Sequence, residues 1–144
     1  MTAPFIMLVD DEVSFVETIA KRLTARNFEI LMAFSAEEGL EKLKTNQNLD
    51  VIVLDIKMPG MDGLEMLKII KAGFFRTEII MLTGYATIES GIDGMKLGAY
   101  DFLTKPCDIE ELVSKVEEAT KKKRAHDKKI EDAERKKLLQ KYEP

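Results

Sequence analysis

The 144-residue chain contains one cysteine, one histidine and four prolines. The single cysteine, Cys107, excludes an internal disulfide and a multi-cysteine zinc site, and it suits a reducing, cytoplasmic setting. No apolar run approaches the roughly 18–20 residues needed to cross a bilayer, so no membrane association is expected. The N-terminal stretch MTAPFIMLVDDE has no basic segment and meets two aspartates after a short apolar run, unlike a signal peptide. His126 sits in a highly charged segment with no companion for metal binding and reads as solvated. Neither G-x-x-x-x-G-K-[ST] nor G-x-G-x-x-G occurs, which disfavours nucleotide enzymes.

Hydrophobic residues make up 45% of the chain and charged residues 33%, enough to bury a core and too apolar for an intrinsically disordered protein. The length accommodates one domain and a short appendage. The net charge of −4 hides a split. Residues 1–119 carry 12 basic and 21 acidic side chains; residues 120–144 carry 10 and 5. The expected organisation is an acidic domain over 1–119 and a basic tail or linker over 120–144, with the boundary near Glu118–Lys121. The tail reads as an exposed or frayed helix, laced with i,i+4 pairs such as Glu131–Arg135, and its apolar stripe is too broken for a coiled coil. The acidic total argues against nucleic acid as a partner.

Five apolar runs, Phe5–Val9, Glu29–Phe34, Val51–Leu54, Ile79–Leu82 and Asp101–Leu103, have the continuous character of strands covered on both faces. Helical spacing separates them. Phe15, Val16, Ile19, Ala20 and Leu23 share one stripe, and Ser35 with Glu38 forms a capping box. Asp62 caps a helix carrying Met66, Leu67 and Ile70, and a glycine-loosened helix spans Ala86 to Leu97. Asp108 opens the last helix. This alternation predicts an α/β fold with a five-stranded parallel sheet and right-handed crossovers.

In such sheets the working site lies beyond the carboxyl ends of the strands. There the sequence places Asp10, Asp11, Asp55, Thr83 and Lys105. Like charges so close need a cation, and carboxylate oxygens without histidine or thiolate suit Mg2+. A lysine and a hydroxyl beside it can stabilise phosphoryl oxygens, and a carboxylate can be the nucleophile that forms an acyl phosphate.

With these residues the sequence resembles the response-regulator receiver domains of two-component signalling. The matching segments are Asp10-Asp11 after Phe5–Val9, the stretch from Val51 through Asp55 and Pro59 to Gly63, Thr83-Gly84, and Gly98 through Lys105-Pro106. The resemblance implies a doubly wound, flavodoxin-like sheet of order 2-1-3-4-5 with helices on both faces. It implies that Asp55 accepts a phosphoryl group from a histidine kinase or phosphotransfer protein. Asp11, Asp55 and the backbone carbonyl of Lys57 would hold Mg2+, with Asp10 acting through a metal-bound water. Lys105 and Thr83 would bind phosphoryl oxygens, and the bond before Pro106 would be cis. Thr83 and Phe102 would form the switch, moving a surface made of the Ala86–Leu97 helix, the fifth strand and the last helix. Phe102 stands where many relatives have tyrosine, and Gly84 where many have alanine. Lys57, Gly84 and Tyr85 flank the phosphoryl position and would tune its lifetime. The expected function is a phosphorylation-controlled switch acting on a downstream protein, with a homodimer left open; its only catalysis would be self-directed phosphotransfer and dephosphorylation.

A phosphatase of the haloacid-dehalogenase type also forms an acyl phosphate, but it expects an aspartate two residues after the nucleophile, where Lys57 stands. A regulator with a DNA-binding output is the other alternative, and the 25-residue tail is short for a complete helix-turn-helix domain. Cys107 reads as a small buried hydrophobe rather than a redox sensor.

Overall fold

The computed structural model describes residues 2–73, 76–84 and 88–142. Ten elements alternate: β1 (Phe5–Val9), α1 (Val13–Thr24), β2 (Glu29–Ala33), α2 (Ala36–Thr45), β3 (Val51–Leu54), α3 (Gly63–Gly73), β4 (Glu78–Thr83), α4 (Ile88–Lys96), β5 (Asp101–Thr104) and α5 (Ile109–Lys141). All strand pairings are parallel, in the order β2-β1-β3-β4-β5.

The continuous apolar runs are explained by burial on both faces, because successive side chains of a strand point in opposite directions. Met7, Val9, Ile52, Leu54, Ile79 and Met81 pack with Leu43, Met66, Leu67 and Ile70 of α2 and α3. Their neighbours Ile6, Leu8, Val51, Val53, Ile80 and Leu82 pack with Val16, Ile19 and Leu23 of α1 and Leu112 and Val116 of α5.

Helix starts follow the local chemistry. The Ser35 side chain accepts the Glu38 N–H at 3.1 Å, and Glu38 reaches back to the Phe34 N–H at 3.4 Å. That second bond takes Phe34 out of β2, which ends one residue earlier than its apolar run. Asp62 accepts the Glu65 N–H at 2.8 Å, and Asp108 accepts that of Glu110 at 3.4 Å. β4 and β5 each extend to the threonine at their carboxyl end, Thr83 and Thr104.

The C-terminal segment departs from the sequence reading. It is neither frayed nor wholly outside the core: α5 runs unbroken through Glu118–Lys121, and Thr120 and Lys123 are buried. Buried Asp50, just before β3, accepts the Phe5 N–H at 2.9 Å and two bonds from the Arg124 guanidinium at 3.2 and 3.0 Å. The same guanidinium donates to the carbonyls of Thr2 and Ala3, and Lys123 bridges Asp50 and Asp127 at 3.6 and 2.7 Å. Docking therefore continues to Asp127. Residues 131–142 are all exposed. Within them Arg135 pairs with Asp132 at 3.8 Å rather than with Glu131. Cys107 is half-buried against the α1 and α5 side of the core, less enclosed than its sequence context suggests. His126 is exposed. No helix among the described residues is long and apolar enough to cross a membrane.

Candidate phosphoacceptor site

Two strands, β1 and β3, deliver the acidic residues to one edge. β1 ends at Val9, and the register of β1 on β3 pairs Val9 with Leu54, so Asp10 and Asp55 leave adjacent strands side by side. The Asp55 N–H donates to the Val9 carbonyl at 3.0 Å, and the Asp10 N–H to that of Ala33 at 3.1 Å. Asp10 and Asp55 are buried and Asp11 is exposed. One carboxylate oxygen from each of the three lies within 4.8 Å of the others.

The backbone beneath Asp55 is closed off by Gly63. Its N–H donates to the Ile56 carbonyl at 2.7 Å, and a Cβ there would lie 2.1 Å from the Asp55 carbonyl oxygen. Any side chain would push α3 off the end of β3. Above it the loop carries exposed Lys57 and then Gly60, whose φ of +75° favours glycine. The Met61 N–H is tied to Glu37 of α2 at 3.0 Å.

β4 and β5 supply the hydroxyl and the ammonium. Buried Thr83 hydrogen-bonds the Asp55 carboxylate through its side chain. The Lys105 N–H donates to the Thr83 carbonyl at 2.9 Å, so the two residues share a register. The Lys105–Pro106 bond is cis. Lys105 Nζ lies 2.7 Å from Asp10, 2.9 Å from Glu12 and 4.3 Å from the centre of the Phe15 ring. Glu12 is an addition to the residues read from the sequence. It stands at the N-cap of α1 but makes no side-chain cap, and its carboxylate goes to Lys105 instead. Its place directly after the Asp-Asp pair was the available signal.

Burial pushes the Asp10 carboxyl above the usual range, against the lowering effect of Lys105. Burial also raises Asp55, opposed by the Thr83 hydrogen bond and reinforced by the charge of Asp10. For Lys105, burial alone would lower the ammonium, but its bonds to Asp10 and Glu12 outweigh it and hold the group above its ordinary value. Two carboxyls held up by desolvation, beside an exposed third, form a site whose ionised state needs more positive charge than one lysine. The donor set is oxygen only, without histidine or thiolate, and so fits Mg2+.

Of the remaining residues, exposed Gly84 faces Lys105, and a Cβ there would meet the lysine stem at 3.9 Å, an ordinary contact. Phe102 is half-buried and lies over Gly91 of α4, where a Cβ would be 3.6 Å from its ring. Tyr85 and the Ala86 start of the expected helix lie outside the described residues.

A doubly wound sheet with an acidic triad, a threonine and a lysine at its carboxyl edge defines a phosphoacceptor class of domain. The chain belongs to the response-regulator receiver family: the model for the response regulator receiver domain matches residues 6–117. It is thus a receiver domain of two-component signalling, a class of signalling switches rather than conventional enzymes. Among curated proteins it is 32% identical over 109 residues to the acid tolerance regulatory protein ActR of Rhizobium meliloti (strain 1021), covering 76% of this chain and 56% of that one. It is 29% identical over 121 residues to the cell cycle response regulator CtrA of Brucella ovis, covering 84% and 52%. The chain thus spans about half the length of these relatives. Among solved structures, a receiver domain from Clostridium thermocellum is 32% identical with a TM-score of 0.81, covering 85% of this chain and 98% of that one. CheY in the CheX-CheY-BeF3-Mg complex from Borrelia burgdorferi is 30% identical with a TM-score of 0.76, covering 80% and 87%.

Proposed function

We propose that this domain is a switch whose phosphoacceptor is Asp55, loaded from the phosphohistidine of a histidine kinase or phosphotransfer protein. The observation that carries the reading is the gathering of Thr83, Asp10 and Asp11 around the buried Asp55 carboxylate, with Lys105 held beside them on Asp10 at 2.7 Å. An Asp55 carboxylate oxygen attacks phosphorus; the P–O bond forms as the P–N bond to imidazole breaks, and the imidazole nitrogen takes up a proton. Thr83 and Lys105 turn from Asp55 and from Asp10 and Glu12 toward phosphoryl oxygens, where fixed donors meet developing negative charge. Asp11, Asp55 and the Lys57 carbonyl would hold Mg2+, with Asp10 beside it through water; the ion supplies charge neutralisation. Hydrolysis reverses the state: water attacks phosphorus and the Asp55 carboxylate leaves. Lys57, Gly84 and Tyr85 set how readily that water arrives.

The output follows from what Thr83 and Lys105 adjoin. Movement of Thr83 would be followed by Phe102, which lies on Gly91 of α4. The α4-β5-α5 surface thereby changes for a downstream protein. Phe102 has no hydroxyl to register its position, so this coupling is steric. Residues 1–119 contain this machinery, with residues 120–144 as a tail or linker that is helical as far as Lys141.

Intact-mass measurement with a small phosphodonor and Mg2+ tests the reading. Wild type should gain one phosphoryl mass and Asp55→Asn none; wild type without a gain would reject it.

A further inference from the structure

Two consecutive glutamates stand in the first turn of α2, and the structure gives them different tasks. Glu38 completes the helix cap through the Phe34 N–H and pairs with Lys42 at 3.1 Å. Glu37 is exposed, yet its Oε1 reaches out of the helix to accept the Met61 N–H, 24 residues further on, at 3.0 Å. Bonds from its own N–H and from that of Met61 hold its carboxyl below the usual carboxylate range.

The Glu37–Met61 bond joins a fixed element to an irregular one. α2 sits close on the sheet because Gly39 has no side chain: a Cβ there would lie 2.8 Å from Met66 Cε and 3.2 Å from Cγ2 of Val9, the residue before Asp10. Ala36 and Leu43 of the same helix are fully buried. Residues 55–62, by contrast, are neither strand nor helix. This loop is closed at its base by the Gly63–Ile56 bond and anchored by the buried Ile56 and Met58 side chains. Lys57 stands exposed between those two, and Pro59 and Gly60 beyond them are exposed as well. A loop with so much backbone in solvent opens locally unless its tip is tied down. Gly60 is fitted to the tie: a Cβ on it would lie 3.0 Å from Glu37 Oε1, so a side chain there would displace the carboxylate.

We propose that Glu37 is a positioning residue for the metal site: through the Met61 N–H it fixes the loop running from Asp55 to Gly63, and with it the Lys57 carbonyl. The inference rests on the reading of Asp11, Asp55 and the Lys57 carbonyl as Mg2+ ligands. What matters is the acceptor oxygen of Glu37 rather than its charge. Mg2+ demands near-ideal octahedral geometry, whereas Ca2+ accepts larger and more flexible oxygen sets, so a loosened carbonyl costs Mg2+ more.

Titration of the unmodified chain with Mg2+ and with Ca2+, followed by amide NMR shifts without phosphodonor, tests it. Glu37→Ala should weaken Mg2+ binding about three- to tenfold, the worth of one solvent-exposed hydrogen bond, and Ca2+ binding less. The Met61 amide should exchange faster with solvent in that variant, while the amides of β1, β3 and β4 keep their protection and show that it is folded. Glu37→Gln retains a carbonyl oxygen at the same reach and should recover most of the Mg2+ affinity. Wild type that binds Mg2+ no better than Glu37→Ala would overturn the proposal and leave the phosphoacceptor reading intact. A Glu37→Gln as weak as Glu37→Ala, or equal losses for both ions, would also overturn it, by showing that the carboxylate acts through its charge. Wild type that binds no Mg2+ would overturn it together with the metal reading beneath it.

Discussion

Asp50→Ala would remove the group on which the C-terminal extension rests, and the structure gives a magnitude. The carboxylate is 4% exposed and holds the Phe5 N–H, two donors of Arg124 and, at 3.6 Å, Lys123. Removing one partner of a buried ion pair costs about 3–5 kcal/mol because the other charge is left uncompensated. The lower end applies here: the Arg124 side chain is 29% exposed and keeps the carbonyls of Thr2 and Ala3, and Lys123 keeps Asp127 at 2.7 Å. A loss of about 3 kcal/mol follows, roughly 10 °C in Tm for a domain near this size. Arg124→Ala leaves Asp50 with Lys123 and the Phe5 N–H, so about 2 kcal/mol is expected, the cost of a buried acceptor losing its main donors. Urea unfolding followed by circular dichroism at fixed salt measures both. The double variant should lose at least about 1 kcal/mol less than the sum, the signature of direct contact. An Asp50→Ala loss below about 1 kcal/mol, or strict additivity, would refute the view that this cluster docks α5.

Three further outcomes follow from the site. Asp10 and Asp55 have raised pKa values, so over the pH range above the ordinary carboxylate value the folded metal-free chain binds more protons than the unfolded one. Its stability should fall as pH rises through that window, and Asp55→Asn should stabilise it at neutral pH and flatten the profile; a urea midpoint indifferent to pH there would contradict this. Gly63→Ala places a Cβ 2.1 Å from the Asp55 carbonyl oxygen, so it should cost at least about 1–3 kcal/mol and slow phosphorylation by shifting Asp55, read by chemical denaturation and phosphorylation kinetics. Glu12→Gln removes an exposed partner of Lys105 and should change stability by less than about 1 kcal/mol, yet speed phosphorylation from a small donor; unchanged kinetics would show that Glu12 does not restrain the lysine.

The strands were legible because a parallel sheet buried on both faces demands continuous apolar runs, and Phe5–Val9, Val51–Leu54 and Ile79–Leu82 supply them. Helix starts were legible at Ser35, Asp62 and Asp108, where one side chain settles the cap locally. Asp10, Asp11, Asp55, Thr83 and Lys105 could be placed at one edge because direction along a parallel strand is fixed once the alternation with helices is recognised.

Other features belong to the tertiary structure. In sequence, Glu12 is one acidic residue among several; only the reach of the Lys105 side chain from the end of β5 along the carboxyl edge of the sheet decides that its carboxylate meets Lys105 rather than capping α1. Asp50 and Arg124 are 74 positions apart, and no local pattern links them. Their pairing turns the start of a highly charged tail into docked helix, because a buried carboxylate must find its counter-charges wherever the fold brings them. The residues of the chain determined which helices and strands form and which chemistry stands at their ends; where α5 stops being part of the body was decided by contacts across the whole sheet.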